Sequence, residues 1–226
     1  MRSNSSFLLL TLAFGLIFGS YVGFANLVSN LLDPFGLEPQ DIARIGMGLL
    51  FSGIIGAVAT GLFVDRTGKY KSTCLAMAFL TSALVLCMTW TLKTQVMAAF
   101  IALACALGFS AVGYVPVALA FGVELTFPMA AATVNGSMLL LGQAFGFAQS
   151  LIVTFISDDR AVDDLLTVEE LLTVRQRRSM IAVAYLGLVV FVALWISCAV
   201  KEDLRRLKYI AKTNDKNGTY KSPDEP

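Results

Sequence analysis

The sequence predicts an all-α membrane protein with six transmembrane helices, and three observations support this fold class. Hydrophobic residues make up 57% of the 226 residues and charged residues only 15%, a balance that is unusual for a water-soluble domain. Six apolar runs are each long enough to cross a bilayer core, which takes about 20 residues. None of these runs contains Asp, Glu, Lys or Arg. They lie near 7–31, 45–64, 73–92, 95–120, 130–156 and 179–200.

The first run has an alternative interpretation as a secretory signal peptide, because Arg2 precedes an unbroken apolar stretch. No cleavage site of small residues follows it, and its apolar character continues beyond Ser20, so we interpret the run as a transmembrane helix. Residues 33–39 contain two prolines and a glycine, which interrupt a helix. They are predicted to form a short external connection.

The last helix is predicted to begin before its apolar run. Thr167 precedes Glu170 by three residues, which is the spacing of a capping box. Because the last apolar run ends near residue 200, the six-helix bundle is assigned to 1–200. Residues 201–226 are predicted to be a basic juxtamembrane segment, suited to an anionic membrane surface, followed by a disordered cytoplasmic tail.

Basic residues predict the orientation, since Lys and Arg near span ends prefer the cytoplasmic side. With both termini in the cytoplasm, the inner set is larger and comprises Arg2, Arg66, Lys69, Lys71, Lys201, Arg205, Arg206, Lys208, Lys212 and Lys216. The outer set comprises Arg44, Lys93, Arg160, Arg175, Arg177 and Arg178, of which the last three oppose the assignment. We expect a multi-pass protein of the plasma membrane or an endomembrane, with both termini cytoplasmic.

Composition also argues against several classes of function. The sequence has no histidine, which removes Ser–His and Cys–His pairs and histidine-based metal sites. The net charge of +1 gives no reason to expect a nucleic-acid partner. We therefore expect no enzyme, no catalytic residues, no metal and no cofactor.

Small residues predict that the helices pack closely against one another. Gly15, Gly19 and Gly23 recur every four residues in the first run, and Gly142 and Gly146 repeat this spacing in the fifth. In the fourth run, Gly113 and Pro116 are predicted to kink or break the helix, because proline removes a backbone hydrogen bond.

The most specific motif lies between the second and third runs, where the sequence reads GLFVDRTGKYK from Gly61. Gly61 would let two helix ends approach, Asp65 and Arg66 would pair with charges on neighbouring helices, and Gly68 would form a tight turn before Lys69. The motif resembles the loop after the second helix of a half of the major facilitator superfamily fold. An ordinary basic cytoplasmic turn is the alternative interpretation.

A second set of motifs narrows the resemblance. These are Gly108-Phe109-Ser110, Gly113-Tyr114-Val115-Pro116, Val123-Glu124-Leu125-Thr126-Phe127-Pro128 and Gly142-Gln143-Ala144-Phe145-Gly146. In this order they resemble the feline leukaemia virus subgroup C receptor-related transporters, the solute carrier family 49 group. Ala120 and Met129 depart from the family pattern, since acidic residues are common at these two places.

The resemblance implies that the chain forms helices seven to twelve of a transporter. Its partners would be the lipid bilayer, a small-molecule substrate, and an N-terminal six-helix half from the same gene or a second chain. The implied function is transport of a small organic solute by alternating access, with choline, ethanolamine or haem as substrate classes. Haem is slightly disfavoured, because no histidine offers an axial ligand.

The resemblance also implies site residues. It places a substrate-contacting amide at Gln143 and a substrate-facing aromatic at Tyr21 or Phe24, with Asn26 nearby. An interhelical hydrogen bond for Gln143, and simple packing for the aromatics, are the alternatives. We further expect Arg66 to pair with Glu124 at the cytoplasmic gate. A non-transporting membrane partner or receptor subunit on the same fold remains the alternative function.

Overall fold

The computed structural model describes residues 2–36, 38–94, 97–157 and 168–200. These residues form six long helices and include no strand. The helices are α1 (Arg2–Leu32), α2 (Pro39–Thr67), α3 (Tyr70–Thr94), α4 (Met97–Thr126), α5 (Ala131–Ser157) and α6 (Val168–Ala199). All six are long and apolar enough to cross a membrane. The predicted fold class, an all-α membrane bundle with six spans, is confirmed.

The helices extend beyond the apolar runs, and their ends follow local sequence signals. After α1, a 3-10 turn (Asp33–Phe35) leads to Gly36, whose φ of 69° lies in the left-handed region. Pro39 then begins α2, a position where its missing N–H costs nothing. The short connection predicted for this segment is therefore present. Thr167 and the tail 201–226 lie outside the described residues.

The α2–α3 turn forms as the motif predicts. Gly68 has a φ of 63°, and its N–H donates to the carbonyl of Val64 at 2.8 Å. A side chain is strained in this left-handed conformation, whereas glycine adopts it freely. α3 begins two residues later at Tyr70.

Of the kink or break predicted in α4, the break does not occur, because the helix continues through Pro116 to Thr126. Pro116 leaves the carbonyl of Val112 without its intrahelical donor, and the next carbonyl, that of Gly113, lies 2.7 Å from the hydroxyl of Thr60 on the neighbouring α2. Hydroxyls on adjacent helices commonly satisfy backbone groups near a proline inside a membrane helix.

Two helix pairs approach at backbone distance, as the glycine spacing predicts. An added Cβ at Gly56 would lie against the backbone of Phe109, and one at Gly108 would lie against the backbone of Leu49, so α2 and α4 interlock. Between α1 and α5, a Cβ at Gly19 would come within 2.9 Å of the backbone nitrogen of Gly146. Close approach of this kind is what small residues provide in membrane helices.

The apolar core has two parts, one at each end of the bundle. We call the end where α1 begins and α6 ends the terminal end, and the opposite end the loop end. The terminal-end core includes Leu10, Val64, Leu125, Val134 and Val200. The loop-end core includes Leu32, Ile45, Phe100, Val153 and Ala182.

The helices differ in how completely the bundle surrounds them. In the most apolar stretch of α1, 56% of the residues are buried, whereas only 22% of the residues are buried in the most apolar stretch of α5. α5 buries a single stripe, formed by Val134, Met138, Gly142, Gly146, Gln149 and Val153. α2 likewise buries one stripe, formed by Ile45, Leu49, Gly53, Gly56, Thr60 and Val64. Each of these two helices leaves a broad apolar face uncovered.

Candidate functional site

Gln143 lies close to the midpoint of α5, and its side chain is exposed. The preceding residue, Gly142, faces α1. A Cβ at Gly142 would lie 2.8 Å from Cδ1 of Phe18 and 3.0 Å from Cε1 of Phe14. The missing side chain therefore lets the Phe18 ring lie directly against the α5 backbone, beside Gln143.

The Phe18 ring is the outer member of a column of three aromatic rings. It stacks on Phe14 with a centroid distance of 5.4 Å, and Phe14 stacks on Tyr114 of α4 at 6.2 Å. Phe14 and Tyr114 are fully buried, whereas Phe18 is only partly buried. The two inner rings therefore fix the position of an outer ring that keeps an accessible surface.

A second amide on α5, Gln149, is buried and fully engaged with α1. The hydroxyl of Ser20 lies 2.7 Å from Oε1 of Gln149, and Nε2 of Gln149 donates to the carbonyl of Leu16 at 3.3 Å. Gly19 and Gly23 leave room for this amide on the α1 surface. Gln149 is thus the interhelical hydrogen-bonding residue that we considered as the alternative for Gln143. Residue type alone did not distinguish the two.

The predicted residues of α1 fall in different surroundings. Phe24 is 4% exposed and belongs to the loop-end core, so it presents no surface to a substrate in this conformation. Tyr21 is half-buried and shares with Phe24 the lining of a cavity of about 10 Å³ inside the bundle. Asn26 is exposed.

The expected ion pair of the gate is not formed in this structure. Asp65, Arg66 and Lys69 are exposed, whereas Glu124 is 3% exposed in the last turn of α4. Arg66 follows the buried Val64 by two residues, or about 200° around the helix, and so lies away from the side that packs on α4. No atom would lie within 4 Å of a Cβ at Gly61, so the described residues make no close helix approach at this position.

A larger cavity that the motifs did not indicate opens at the loop end. It measures about 800 Å³ and its lining includes Asn30, Asp33, Arg175 and Arg178. Gln176 ties α6 to the α1–α2 connection beside it, donating to the carbonyl of Pro34 at 3.0 Å. Among the residues that the structure describes, no group of three His, Cys, Asp or Glu side chains is arranged to hold a metal ion.

These features define a class: a six-helix membrane bundle with the architecture of one half of a major facilitator superfamily transporter. No family model matches the chain. It is similar to the choline/ethanolamine transporter flvcr2a of Danio rerio, with 31% identity over 159 residues, which are 70% of this chain and 34% of that protein.

Two further relatives agree with this class. The choline/ethanolamine transporter FLVCR1 of Mus terricolor is 27% identical over 208 residues, which are 90% of this chain and 34% of that protein. An uncharacterized MFS-type transporter of Caenorhabditis elegans, C09D4.1, is 25% identical over 157 residues, which are 69% of this chain and 27% of that protein. The chain spans about a third of the length of these relatives, consistent with a C-terminal half of such a transporter.

Proposed function

We propose that the chain acts as the C-terminal half of an alternating-access transporter for choline, ethanolamine or a similar small organic cation. The observation that carries the proposal is the exposed amide of Gln143 at the middle of a membrane helix. An amide without a hydrogen-bond partner costs roughly 2–7 kcal/mol in an apolar medium. Gln143 therefore needs a polar partner beyond the described bundle, and a substrate cavity between two halves supplies one.

The exposed faces of α2 and α5 support the same proposal. Leu50, Phe51 and Ile54 on α2 and Leu140 and Phe147 on α5 are each more than half exposed. A second six-helix half would cover these faces and enclose Gln143.

The substrate class follows from the relatives that are named as choline/ethanolamine transporters. We therefore propose choline or ethanolamine as the substrate in preference to haem. We also infer that the terminal end faces the cytoplasm, with Asp65, Arg66, Lys69 and Glu124 at the gate.

The test is uptake of radiolabelled choline and ethanolamine. The chain is expressed alone, and also fused behind the N-terminal six-helix half of the Danio rerio relative, in cells with low uptake of their own. We expect saturable uptake by the fusion. Gln143→Ala should lower uptake by about tenfold at unchanged surface level, because the site loses its hydrogen-bonding amide. Phe79→Leu, an exposed position on α3, serves as the matched control.

The alternative, a non-transporting membrane partner or receptor subunit, predicts a different result. The chain would reach the membrane and associate with the N-terminal half, yet neither form would raise uptake above that of untransfected cells. That outcome would overturn the proposed transport function.

A further inference from the structure

We propose that the cavity of about 800 Å³ at the loop end binds a phosphate group, through the side chains of Arg175, Arg178 and Ser157 that line it. Ser157 follows Gln143 by 14 residues, or about 21 Å along α5, so this site is separate from the candidate transport site. Four properties of the cavity support the proposal: the arrangement of its arginines, a buried hydroxyl, the charge of its lining and its level in the bundle.

Two arginines of α6 line the cavity, and a third arginine beside them does not. Arg175 and Arg178 are three residues apart and therefore lie on one face of the helix, where both are partly buried. Arg177 is exposed and does not line the cavity. A guanidinium group donates hydrogen bonds in a planar fork that matches the oxygen atoms of a phosphate. Two such groups in the lining of one cavity favour an anion that has several oxygen atoms.

A buried hydroxyl provides a further hydrogen-bond donor. The Oγ atom of Ser157, the last residue of α5, is buried and has no hydrogen-bond partner among the residues that the structure describes. Ser157 also lines the cavity. A hydroxyl that is removed from water and lacks a partner is costly, and a bound ion or water commonly accounts for such a group. A phosphate oxygen in the cavity would accept this hydrogen bond.

The charge of the lining favours an anion with one negative charge. The charged residues of the lining are Asp33, Arg175 and Arg178, which give it a net charge of +1. A phosphodiester has one negative charge and matches this value, whereas Asp33 disfavours a more highly charged anion. The hydrogen bond from Gln176 to the carbonyl of Pro34 holds the segment next to Asp33 against α6. The arrangement of charges is therefore fixed before a ligand binds.

The level of the cavity in the bundle indicates a source of phosphate. Arg178 immediately precedes the last apolar run, so it lies where the hydrocarbon core ends. Lipid headgroups carry their phosphates near this level, and basic pockets between membrane helices bind such headgroups. Val28, Ile42 and Leu171 add apolar surface to the cavity, which suits the carbon atoms next to a lipid phosphate. A phospholipid and free inorganic phosphate offer the same group, and the experiment distinguishes them.

The experiment measures ligand binding to the purified chain in an uncharged detergent. The probes are dihexanoylphosphatidylglycerol, whose headgroup contains a phosphodiester, inorganic phosphate, and dihexanoylglycerol, which has the same acyl chains without a phosphate. Native mass spectrometry counts the bound molecules, and thermal unfolding measures the stabilisation by each probe. We expect the phosphatidylglycerol to bind and to raise the melting temperature, and dihexanoylglycerol to do neither.

Variants of α6 test whether the arginines of the cavity bind the phosphate. Arg175→Gln and Arg178→Gln should each weaken binding about tenfold, because each removes a charged hydrogen-bond donor. Arg177→Gln removes the same charge from an exposed position and should leave binding unchanged. If a glutamine variant does not fold, Ser157→Ala takes its place and should weaken binding severalfold.

The outcomes decide the proposal without any measurement of transport, so its failure and that of the proposed function are separate. Binding of inorganic phosphate but not of the lipid, with the same dependence on Arg175 and Arg178, would support the site and identify free phosphate as its ligand. Equal weakening in all three glutamine variants would overturn the proposal, because only net charge would then matter. Equal binding of dihexanoylglycerol, or no binding of either phosphate probe to the unmodified chain, would overturn it as well.

Discussion

Two amides on α5, only six residues apart, lie in opposite surroundings. Gln143 is exposed, whereas Gln149 is buried and bonded to α1. Six residues correspond to about 1.7 helical turns, so the two side chains leave the helix in different directions. The resemblance to known transporters indicated Gln143 as a substrate-contacting residue. The sequence analysis did not predict the interhelical hydrogen bond of Gln149. It did identify Gly19 and Gly23, which make room for that amide, as packing residues.

The hydrogen bond between Gln149 and Ser20 should contribute measurably to stability. We expect Gln149→Leu and Ser20→Ala each to destabilise the bundle. In a double-mutant cycle their coupling should be about 0.6 kcal/mol and at most about 1.7 kcal/mol, the range found for hydrogen bonds between membrane helices. Unfolding of the purified protein in detergent measures all four forms. Strictly additive effects would show that the two side chains do not interact.

Gly142 should tolerate no side chain, because a Cβ there would lie 2.8 Å from Cδ1 of Phe18. We expect Gly142→Ala to displace the ring, at a cost of about 1–3 kcal/mol in the free energy of unfolding, and to raise the KM for choline in the fusion. Gly136→Ala is the matched control on the same helix, since no atom lies within 4 Å of its added Cβ. Similar behaviour of the two variants would contradict the close contact between Phe18 and α5.

At the scale of the elements, the pairs α2–α4 and α1–α5 depend on glycines at their contact. The sequence predicted close packing from glycine spacing, but the spacing alone does not say which helices meet. Gly56 on α2 lies against the backbone of Phe109, and Gly108 on α4 lies against the backbone of Leu49. Only the folded bundle brings such distant residues together.

Gly56→Ala should separate α2 from α4, because the added Cβ would meet the backbone of Phe109 and a backbone cannot move aside as a side chain does. We expect a lower melting temperature and a lower yield of folded protein, with a cost of about 1–3 kcal/mol or more. Gly46→Ala lies on the same helix in open space and should be nearly neutral. If the Gly56→Ala variant were as stable as Gly46→Ala, α2 and α4 would not approach at backbone distance at Gly56.

At the scale of the whole molecule, this half is not expected to carry a proton. The apolar runs hold no acidic or basic residue, and the chain has no histidine. Proton relays within membranes normally use Asp, Glu or His. We therefore expect choline uptake by the fusion to be nearly flat between about pH 6 and pH 8. A steep pH dependence that persists after the ionisable residues of the N-terminal half have been replaced would contradict this expectation.

The sequence by itself determined the six helices and the turn at Gly68. Membrane spans follow from local composition, because hydrocarbon admits only long apolar helices, and the left-handed turn follows from the single residue type that adopts it freely. The tertiary structure decided which side of each helix is covered. Apolar residues surround these helices on all sides, so the sequence does not mark the buried face. Contacts between distant helices placed Phe24 and Glu124 inside and left Phe18, Gln143 and Arg66 accessible.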